Sequence, residues 1–216
     1  MMAESTGSGC ELNPLDRNFF ERDPVVCARE LIGVEFRWGN CAGIVVETEA
    51  YAEKGDEACH TFFRPSARAF VEKHPAGTAY VYLNYGMHWL TNVLVKNPKT
   101  GERGFVLLRA LEPSFGIDEM RERRNRDRER DLCSGPGKLS MALGITGDHH
   151  GQSLTEEGST TDGTRAERGF FPRKAARGKI AVKADRRIGI SRSQDLAWRF
   201  LAEGNPHVSV PFGKAR

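Results

Sequence analysis

The sequence predicts an α+β fold: a single domain with a mostly antiparallel, curved β-sheet flanked by a few helices. A chain of 216 residues with 39% hydrophobic content can bury one sizeable core. Helical patterns are few, and we find no internal repeat. Apolar runs rich in β-branched and aromatic residues predict five strands, at 34–38, 42–51, 79–84, 89–95 and 105–111.

The N-terminal segment predicts a tail and then a short helix. Residues 1–14 are small, polar and without a periodic pattern, so we expect a disordered tail, one domain over 15–211 and a C-terminal tail at 212–216. Asp23 supplies an N-cap, Pro24 suits the first helical position, and Gly33 supplies a stop. A helix over 24–32 is therefore expected.

The second predicted strand ends in carboxylates. Its apolar run at 44–46 leads into Glu47 and Glu49, and Tyr51 follows with the same alternation. Carboxylates at the end of a buried strand are costly unless they are paired or used in chemistry. Taken alone, these three side chains are also typical of the half-exposed rim of a sheet.

The third and fourth predicted strands form a hairpin. The run at 79–84 is dense in aromatic residues, and the chain reverses at Tyr85-Gly86, so the tip presents a bulky ring in place of the usual small polar pair. An exposed aromatic tip near a carboxylate is typical of proteins that bind nucleic acids.

The fifth predicted strand has an arginine at its centre. The run at 105–111 is apolar on both faces except for Arg109, whose charge cannot be removed at working pH. Glu49 or a phosphate would satisfy this charge. A purely structural arginine–glutamate pair is the alternative interpretation.

Two helical segments follow this strand. Residues 116–131 predict a heavily charged helix, which is either solvated or in contact with DNA. After Ser134, a helix is expected to begin at Pro136, and its N-terminus beside Lys138 suits a phosphate. The spacing of this block is not that of a P-loop.

The C-terminal third predicts a long loop and then the closing part of the sheet. Residues 146–178 are expected to form a long mobile loop. Closing strands are expected at 180–182 and 188–190. Segments 198–201 and 208–210 are expected to complete the core.

Charge is unevenly spread along the chain, whose net charge is +3. Residues 1–60 hold twelve acidic and five basic residues, which leaves 27 basic and 17 acidic residues for the remainder, a balance of +10. A positive face toward an anionic partner is the natural interpretation, and a well-mixed solvated surface is the alternative.

Cysteine usage and hydropathy indicate the compartment. Five cysteines without a CxxC pair predict reduced thiols in a cytoplasmic protein, with neither a disulfide framework nor a zinc site. No apolar stretch approaches the roughly 18 residues of a membrane span, and the N-terminus lacks the basic region of a signal peptide. We therefore expect a soluble protein with no membrane partner.

Five blocks that follow one another along the chain resemble a single family. They are Val46 to Tyr51, Asp56 to His60, Tyr80 to Tyr82 with Tyr85 to Met87, Leu108 to Pro113, and Cys133 to Pro136 with Lys138-Leu139. Together they closely resemble the alkyladenine-type 3-methyladenine DNA glycosylases over residues 15–211. This resemblance implies the same α+β fold, with a β-hairpin inserted into the DNA minor groove, and supports that fold more strongly than the strand predictions do.

The resemblance also implies the catalytic and pocket residues. Glu49 corresponds to the general base that activates the attacking water, and His60 and Arg109 correspond to residues that help to hold this water. Tyr51, Tyr82 and His60 correspond to the walls that stack on the extruded base.

Contacts with DNA are implied in the same way. Tyr85 corresponds to the wedge that fills the place of the extruded base, and Asn92 to the residue that crowds the 2-amino group of guanine. Backbone contacts are expected from Ser134, Lys138 and Arg64. Residues 64–69 read RPSARA where relatives often read RTPRN, so contacts that depend on that threonine or asparagine do not carry over.

The implied function is that of a monomeric, cofactor-free DNA glycosylase that starts base excision repair. It would flip an alkylated or deaminated purine (3-methyladenine, 7-methylguanine, hypoxanthine or ethenoadenine) out of double-stranded DNA and hydrolyse its N-glycosidic bond with water. A carboxylate suits this reaction because positive charge develops on the sugar.

Other functions fit the sequence less well. The main alternative is a DNA-binding module of the same fold that recognises lesions but has lost catalysis. A zinc deaminase is disfavoured because the HxE and PCxxC signatures are absent. A helix-hairpin-helix glycosylase is a poor fit, since only Leu143 to Gly147 resembles its hairpin.

Overall fold

The computed structural model describes residues 13–155, 168–173 and 180–215, so most of the predicted N-terminal tail and parts of the predicted loop 146–178 lie outside the described residues. The helices within these ranges are short: α1 (Arg17–Phe20), α2 (Pro24–Glu30), α3 (His60–Phe63), α4 (Pro65–Lys73), α5 (Ile117–Arg124), α6 (Arg130–Cys133), α7 (Pro136–Leu143) and a 3-10 turn at Gly147–His149. The strands are β1 (Glu35–Trp38), β2 (Cys41–Ala52), β3 (Ala79–Asn84), β4 (His88–Lys96), β5 (Arg103–Phe115), β6 (Arg168–Phe171), β7 (Val182–Asp185) and β8 (Arg199–Ala202).

The described strands form one antiparallel sheet that branches at β2. The main path runs β3-β4-β5-β2-β1-β6, while β8 pairs with β2 and β7 pairs with β8. β1 pairs with the first part of β2, at 41–44, and β8 pairs with its later part, at 47–49. The prediction of an α+β fold with a curved, mostly antiparallel sheet is confirmed.

The central pair β2–β5 contains two irregularities where the chain carries its charged residues. Val45 pairs with Leu111 and Glu47 with Ala110, so Val46 is an extra residue on β2. Thr48 then pairs with Leu108, which makes Arg109 an extra residue on β5. Such bulges change the direction in which a side chain points and occur often beside active sites.

The predicted helix after Asp23 is present as α2. The Asp23 side chain accepts hydrogen bonds from the N–H groups of Val25 (2.8 Å) and Val26 (3.2 Å). The helix buries Cys27 and Ala28 against the sheet, and the chain then turns at Gly33, whose φ is +91°. The Thr48 hydroxyl donates to the Ala28 carbonyl (2.7 Å), which ties α2 to β2.

Several sequence predictions differ from the structure. The closing strand expected at 180–182 lies at Val182–Asp185, and residues 188–190 form no strand, because the Ile188 N–H bonds to a side chain and Gly189 has a φ of +76°. The loop predicted over 146–178 contains β6, whose Phe170 and Phe171 are buried as it pairs with β1.

The charged segment 116–131 forms two short helices in place of one. Asn125, with a φ of +49°, ends α5 in the left-handed region, and α6 begins five residues later. On α5, Arg121 pairs with Asp118 and Arg123 with Glu119, which favours the solvated interpretation of this segment.

The described cysteines are all free and buried: Cys27, Cys41, Cys59 and Cys133. Burial raises the pKa of Cys27 and of Cys133 to about 12 and that of Cys59 to about 11, and it also raises the pKa of Cys41. The remaining cysteine, Cys10, lies outside the described residues.

Within the parts of the chain that the structure covers, no helix is long and apolar enough to cross a membrane.

Candidate active site

The β3–β4 hairpin ends in a tight turn that presents an aromatic ring. Tyr85 and Gly86 both have left-handed backbone conformations, with φ of +49° and +69°, and the Met87 N–H donates to the Asn84 carbonyl (3.0 Å). Tyr85 is 81% exposed. A left-handed conformation costs a non-glycine residue about 1–2 kcal/mol, so this position favours glycine or asparagine on structural grounds alone.

A pocket of about 670 Å³ opens beside this hairpin. Its walls are aromatic: the rings of Tyr80 and Phe105 stack with centroids 4.4 Å apart, and the His60 and Tyr82 centroids are also 4.4 Å apart. The structure brings most of the predicted site residues to this pocket. They are Tyr51, His60, Tyr82, Tyr85, Asn92 and Arg109.

Glu49 lies directly behind the pocket wall and is fully buried. Its Oε2 accepts a hydrogen bond from the Tyr51 hydroxyl (2.7 Å) and lies 3.3 Å from Nη1 of Arg109. Its Oε1 accepts a hydrogen bond from the N–H of Ile188 (2.7 Å). An ionised carboxylate can accept about four hydrogen bonds, so these three contacts leave one direction for a further donor. All three partner residues line the pocket.

Arg109 bridges two carboxylates. The bulge on β5 directs its side chain to Glu49 and also to Glu47, whose Oε1 accepts from Nε of Arg109 (3.0 Å). Glu47 accepts further bonds from Nη1 of Arg199 (2.9 Å) and from the N–H of Ser209 (2.6 Å). Of the two partners expected for Arg109, Glu49 or a phosphate, the structure shows Glu49, and Glu47 is a further partner that the sequence did not indicate.

A second buried ion pair, between Asp56 and Arg187, borders the site. The guanidinium donates from Nη1 to Oδ2 (2.6 Å) and from Nη2 to Oδ1 (2.8 Å) of Asp56, and from Nη1 to the Ala50 carbonyl (2.9 Å). It also lies 4.7 Å from the centre of the Tyr51 ring. The pair joins the loop after β2 to the pocket-lining segment 188–192. Neither Asp56 nor Arg187 was expected from the sequence to have a role in the site.

His60 belongs to the aromatic wall. Its Nδ1 lies 3.0 Å from the Tyr80 hydroxyl, and its ring packs against Tyr82 and Phe63. Burial, with a smaller effect of the nearby Arg64 charge, lowers the pKa of His60 to about 4, so the imidazole is neutral at pH 7. Its described contacts are with these rings and not with Glu49. Tyr80, to which the resemblance assigned no role, also lines the pocket.

The hydroxyl groups around the pocket are protonated. Burial and the adjacent Glu49 carboxylate raise the pKa of Tyr51, and burial raises that of Tyr82 to about 12. Asn92 is buried where β3 and β4 pair, and its Nδ2 donates to the Tyr80 carbonyl (3.0 Å). These groups can donate hydrogen bonds at any pH at which the protein works.

The three residues predicted to contact the DNA backbone lie in different elements. Lys138 is exposed in the first turn of α7, next to Pro136 at the edge of the pocket. Ser134 is half-buried and bridges to Ala110 of β5. Arg64 joins α3 to α4, with its guanidinium 5.4 Å from the centre of the Tyr82 ring.

The described part of the chain contains no group of three or more His, Cys, Asp or Glu side chains placed to hold a metal ion.

Comparison with known proteins identifies the family. Residues 18–206 match the profile of the methylpurine-DNA glycosylases. A relative from Agrobacterium fabrum strain C58 is 44% identical over 196 residues, which cover 91% of this chain and 92% of the relative. A relative from Rhodopseudomonas palustris strain HaA2 is 40% identical, with 92% of each chain covered, and one from Chlorobaculum tepidum is 39% identical, with 90% of each covered. Each carries the provisional name of a 3-methyladenine DNA glycosylase. The chain belongs to the methylpurine-DNA glycosylase family.

Proposed function

We propose that this protein is a monofunctional DNA glycosylase that hydrolyses the N-glycosidic bond of alkylated or deaminated purines as the first step of base excision repair. The observation that carries the proposal is the buried Glu49 carboxylate, held by Tyr51, Arg109 and Ile188 behind an aromatic pocket. Family membership and the provisional names of the relatives support the same reaction.

Extrusion of the damaged nucleotide is the first step of the proposed reaction. The exposed Tyr85 ring enters the duplex from the minor groove and fills the place of the extruded base, which offsets a cost of a few kcal/mol for unstacking. Tyr51, Tyr82 and His60 then stack on the base, and each stacking contact contributes roughly 1–3 kcal/mol without demanding a particular sequence. Damaged or mispaired bases are favoured because they cost least to extrude.

Bond cleavage uses Glu49 in two ways. The carboxylate stabilises the positive charge that develops on the sugar, and its unused hydrogen-bonding direction accepts a proton from the attacking water. Arg109 fixes the position of Glu49 while its own charge is balanced by Glu47. Water is the nucleophile in this mechanism, so no covalent imine forms between enzyme and DNA.

Selection among purines falls to Asn92 and to the charge of the base itself. Hypoxanthine and ethenoadenine are neutral and need protonation or a hydrogen bond as they leave, whereas 3- and 7-methylated purines are cationic and leave readily. Asn92 crowds the position that the 2-amino group of guanine would take. Arg64, Lys138 and Ser134 contact phosphates of the bound strand.

The proposal is tested by release of free base from duplex oligonucleotides that contain hypoxanthine, ethenoadenine or 3-methyladenine. Wild type is expected to release base, while Glu49→Gln binds the same duplexes without release and the exposed Glu122→Gln behaves as wild type. Binding without release by wild type would instead identify a lesion-binding module. An imine trapped by borohydride would exclude water as the nucleophile.

A further inference from the structure

Two adjacent phenylalanines stand at the mouth of the pocket. Phe62 and Phe63 end α3, line the pocket and are 50% and 51% exposed. Burying a phenylalanine side chain is worth about 1.5–3 kcal/mol, so an exposed adjacent pair is unfavourable for folding alone. Exposed aromatic side chains beside a pocket indicate a binding surface.

The segment that departs from the common family pattern holds these rings in place. Nη1 of Arg68 donates to the carbonyls of Thr61 (2.7 Å) and Phe62 (3.2 Å), and the Arg64 N–H donates to the His60 carbonyl (2.7 Å). Pro65 then begins α4 at once. The backbone that carries the two rings is thus braced against the next helix.

The rings continue the aromatic wall outward. Phe63 meets His60 edge to face at 5.4 Å, and His60 meets Tyr82 at 4.4 Å. The Arg64 guanidinium lies 5.6 Å from the Phe63 ring and forms no ion pair among the described residues, whereas Arg192, beside Phe62, is paired with Glu57. Aromatic faces next to an unneutralised cation are the elements that bind single-stranded nucleic acid.

We infer that Phe62 and Phe63 form a stacking platform for the unpaired nucleobase adjoining the lesion, through which the protein also removes damaged purines from single-stranded DNA. The inference rests on the proposed function. When the lesion occupies the pocket lined by Tyr51, Tyr82 and His60, the next nucleotide of the strand emerges at the mouth. In a duplex that neighbour stays paired and Tyr85 supplies the stacking partner. In a single strand there is no duplex for the Tyr85 ring to enter, so the unpaired nucleobase next to the lesion stacks on Phe62 and Phe63 instead.

The test compares two variants on two substrates, under single-turnover conditions at one stated salt concentration. Phe62→Ala/Phe63→Ala is expected to weaken binding of a single strand containing hypoxanthine about 10- to 100-fold, at least about fivefold more than it weakens binding of a duplex with the same lesion. Tyr85→Ala is expected to weaken binding of the duplex more than it weakens binding of the single strand. Phe115→Ala, which removes an exposed phenylalanine at the end of β5, is the matched control and is expected to affect neither substrate. The Phe62→Leu/Phe63→Leu variant keeps apolar area without rings and is expected to follow the alanine variant, which separates stacking from a folding defect.

A modified substrate makes the test specific to the neighbouring base. Replacing the nucleotide on one side of the lesion by an abasic analogue is expected to lower wild-type affinity to that of the double variant, whose own affinity does not change. The inference would be overturned if the double variant still bound more weakly than wild type to a strand with abasic analogues on both sides of the lesion. It would also be overturned if the double variant lost equal affinity for single strands and for duplexes. Failure of the proposed function has a different signature, since wild type would then release no base from duplex DNA.

Discussion

The main-chain N–H of Ile188 donates a 2.7 Å hydrogen bond to Oε1 of Glu49, a residue 139 positions earlier in the sequence. Arg187, the residue before Ile188, is fixed to Asp56 by two hydrogen bonds. The position of the proposed catalytic carboxylate therefore depends on an ion pair to which that carboxylate does not belong.

Asp56→Asn tests this dependence. The change leaves a buried guanidinium without its counter-charge, so we expect the free energy of unfolding to fall by about 3–5 kcal/mol and base release to slow. Glu57→Gln is the matched control, because it breaks the neighbouring ion pair between Glu57 and Arg192. These two side chains are 56% and 57% exposed, respectively. The expected cost of Glu57→Gln is under about 1 kcal/mol. Urea unfolding measures the loss of stability in both variants. Similar losses for Asp56→Asn and Glu57→Gln would show that the buried Asp56–Arg187 pair matters no more for stability than an exposed pair.

Glu47 and Glu49 are expected to separate stability from activity. Glu47→Gln removes the carboxylate that Arg109 and Arg199 share, and we expect a loss of about 3–5 kcal/mol. Glu49→Gln is expected to cost less stability, because Arg109 keeps Glu47, and to lower the rate of base release at least about 100-fold. Unfolding curves measure the stability of each variant, and single-turnover kinetics measures its rate of base release. A Glu49→Gln rate within tenfold of wild type would rule out Glu49 as the base.

Tyr85→Gly is expected to stabilise the hairpin while it impairs the enzyme. Glycine relieves the left-handed backbone, so we expect stability to rise by about 1 kcal/mol, and loss of the ring should weaken excision from duplex DNA. Tyr85→Ala loses the same ring but keeps the backbone cost, which makes it the comparison variant. If both changes leave excision intact, Tyr85 is not the wedge.

His60 makes stability depend on pH in a predictable direction. Folding lowers its pKa from 6.5 to about 4, so between these values the unfolded chain binds a proton that the folded protein does not. The stability of wild type should therefore fall as the pH falls through this window, by about 2 kcal/mol more than that of His60→Gln between pH 7 and pH 5. Urea unfolding at the two pH values measures this difference. His88→Gln, at an exposed histidine, should follow wild type.

Local patterns were sufficient to predict the strands β2, β3 and β5. The runs at 42–51, 79–84 and 105–111 are apolar, dense in β-branched or aromatic residues and bounded by turn residues, and each became a strand within a few residues of its predicted ends. The short apolar stretch at 188–190 was also predicted as a strand, but it forms none. The main-chain N–H of Ile188 donates to Glu49, a tertiary contact that no local sequence pattern indicates.

The candidate site was only partly visible in the sequence. Residues within the five family blocks meet at one pocket, as the resemblance implied. The roles of Arg187 and Arg199 were not predicted, because both residues lie in or near a strongly basic stretch. The sequence of such a stretch does not distinguish a buried arginine from an exposed one. Only the fold shows that each faces a carboxylate more than a hundred residues away.

The burial of the four described cysteines has a chemical consequence for a protein whose proposed substrate is alkylated DNA. Reagents that methylate purines also attack sulfur, and they do so through the thiolate. With raised pKa values and no exposed side chain, Cys27, Cys41, Cys59 and Cys133 remain protonated and out of reach at neutral pH. The fold thus shields these four thiols from the class of reagents that would generate its proposed substrates.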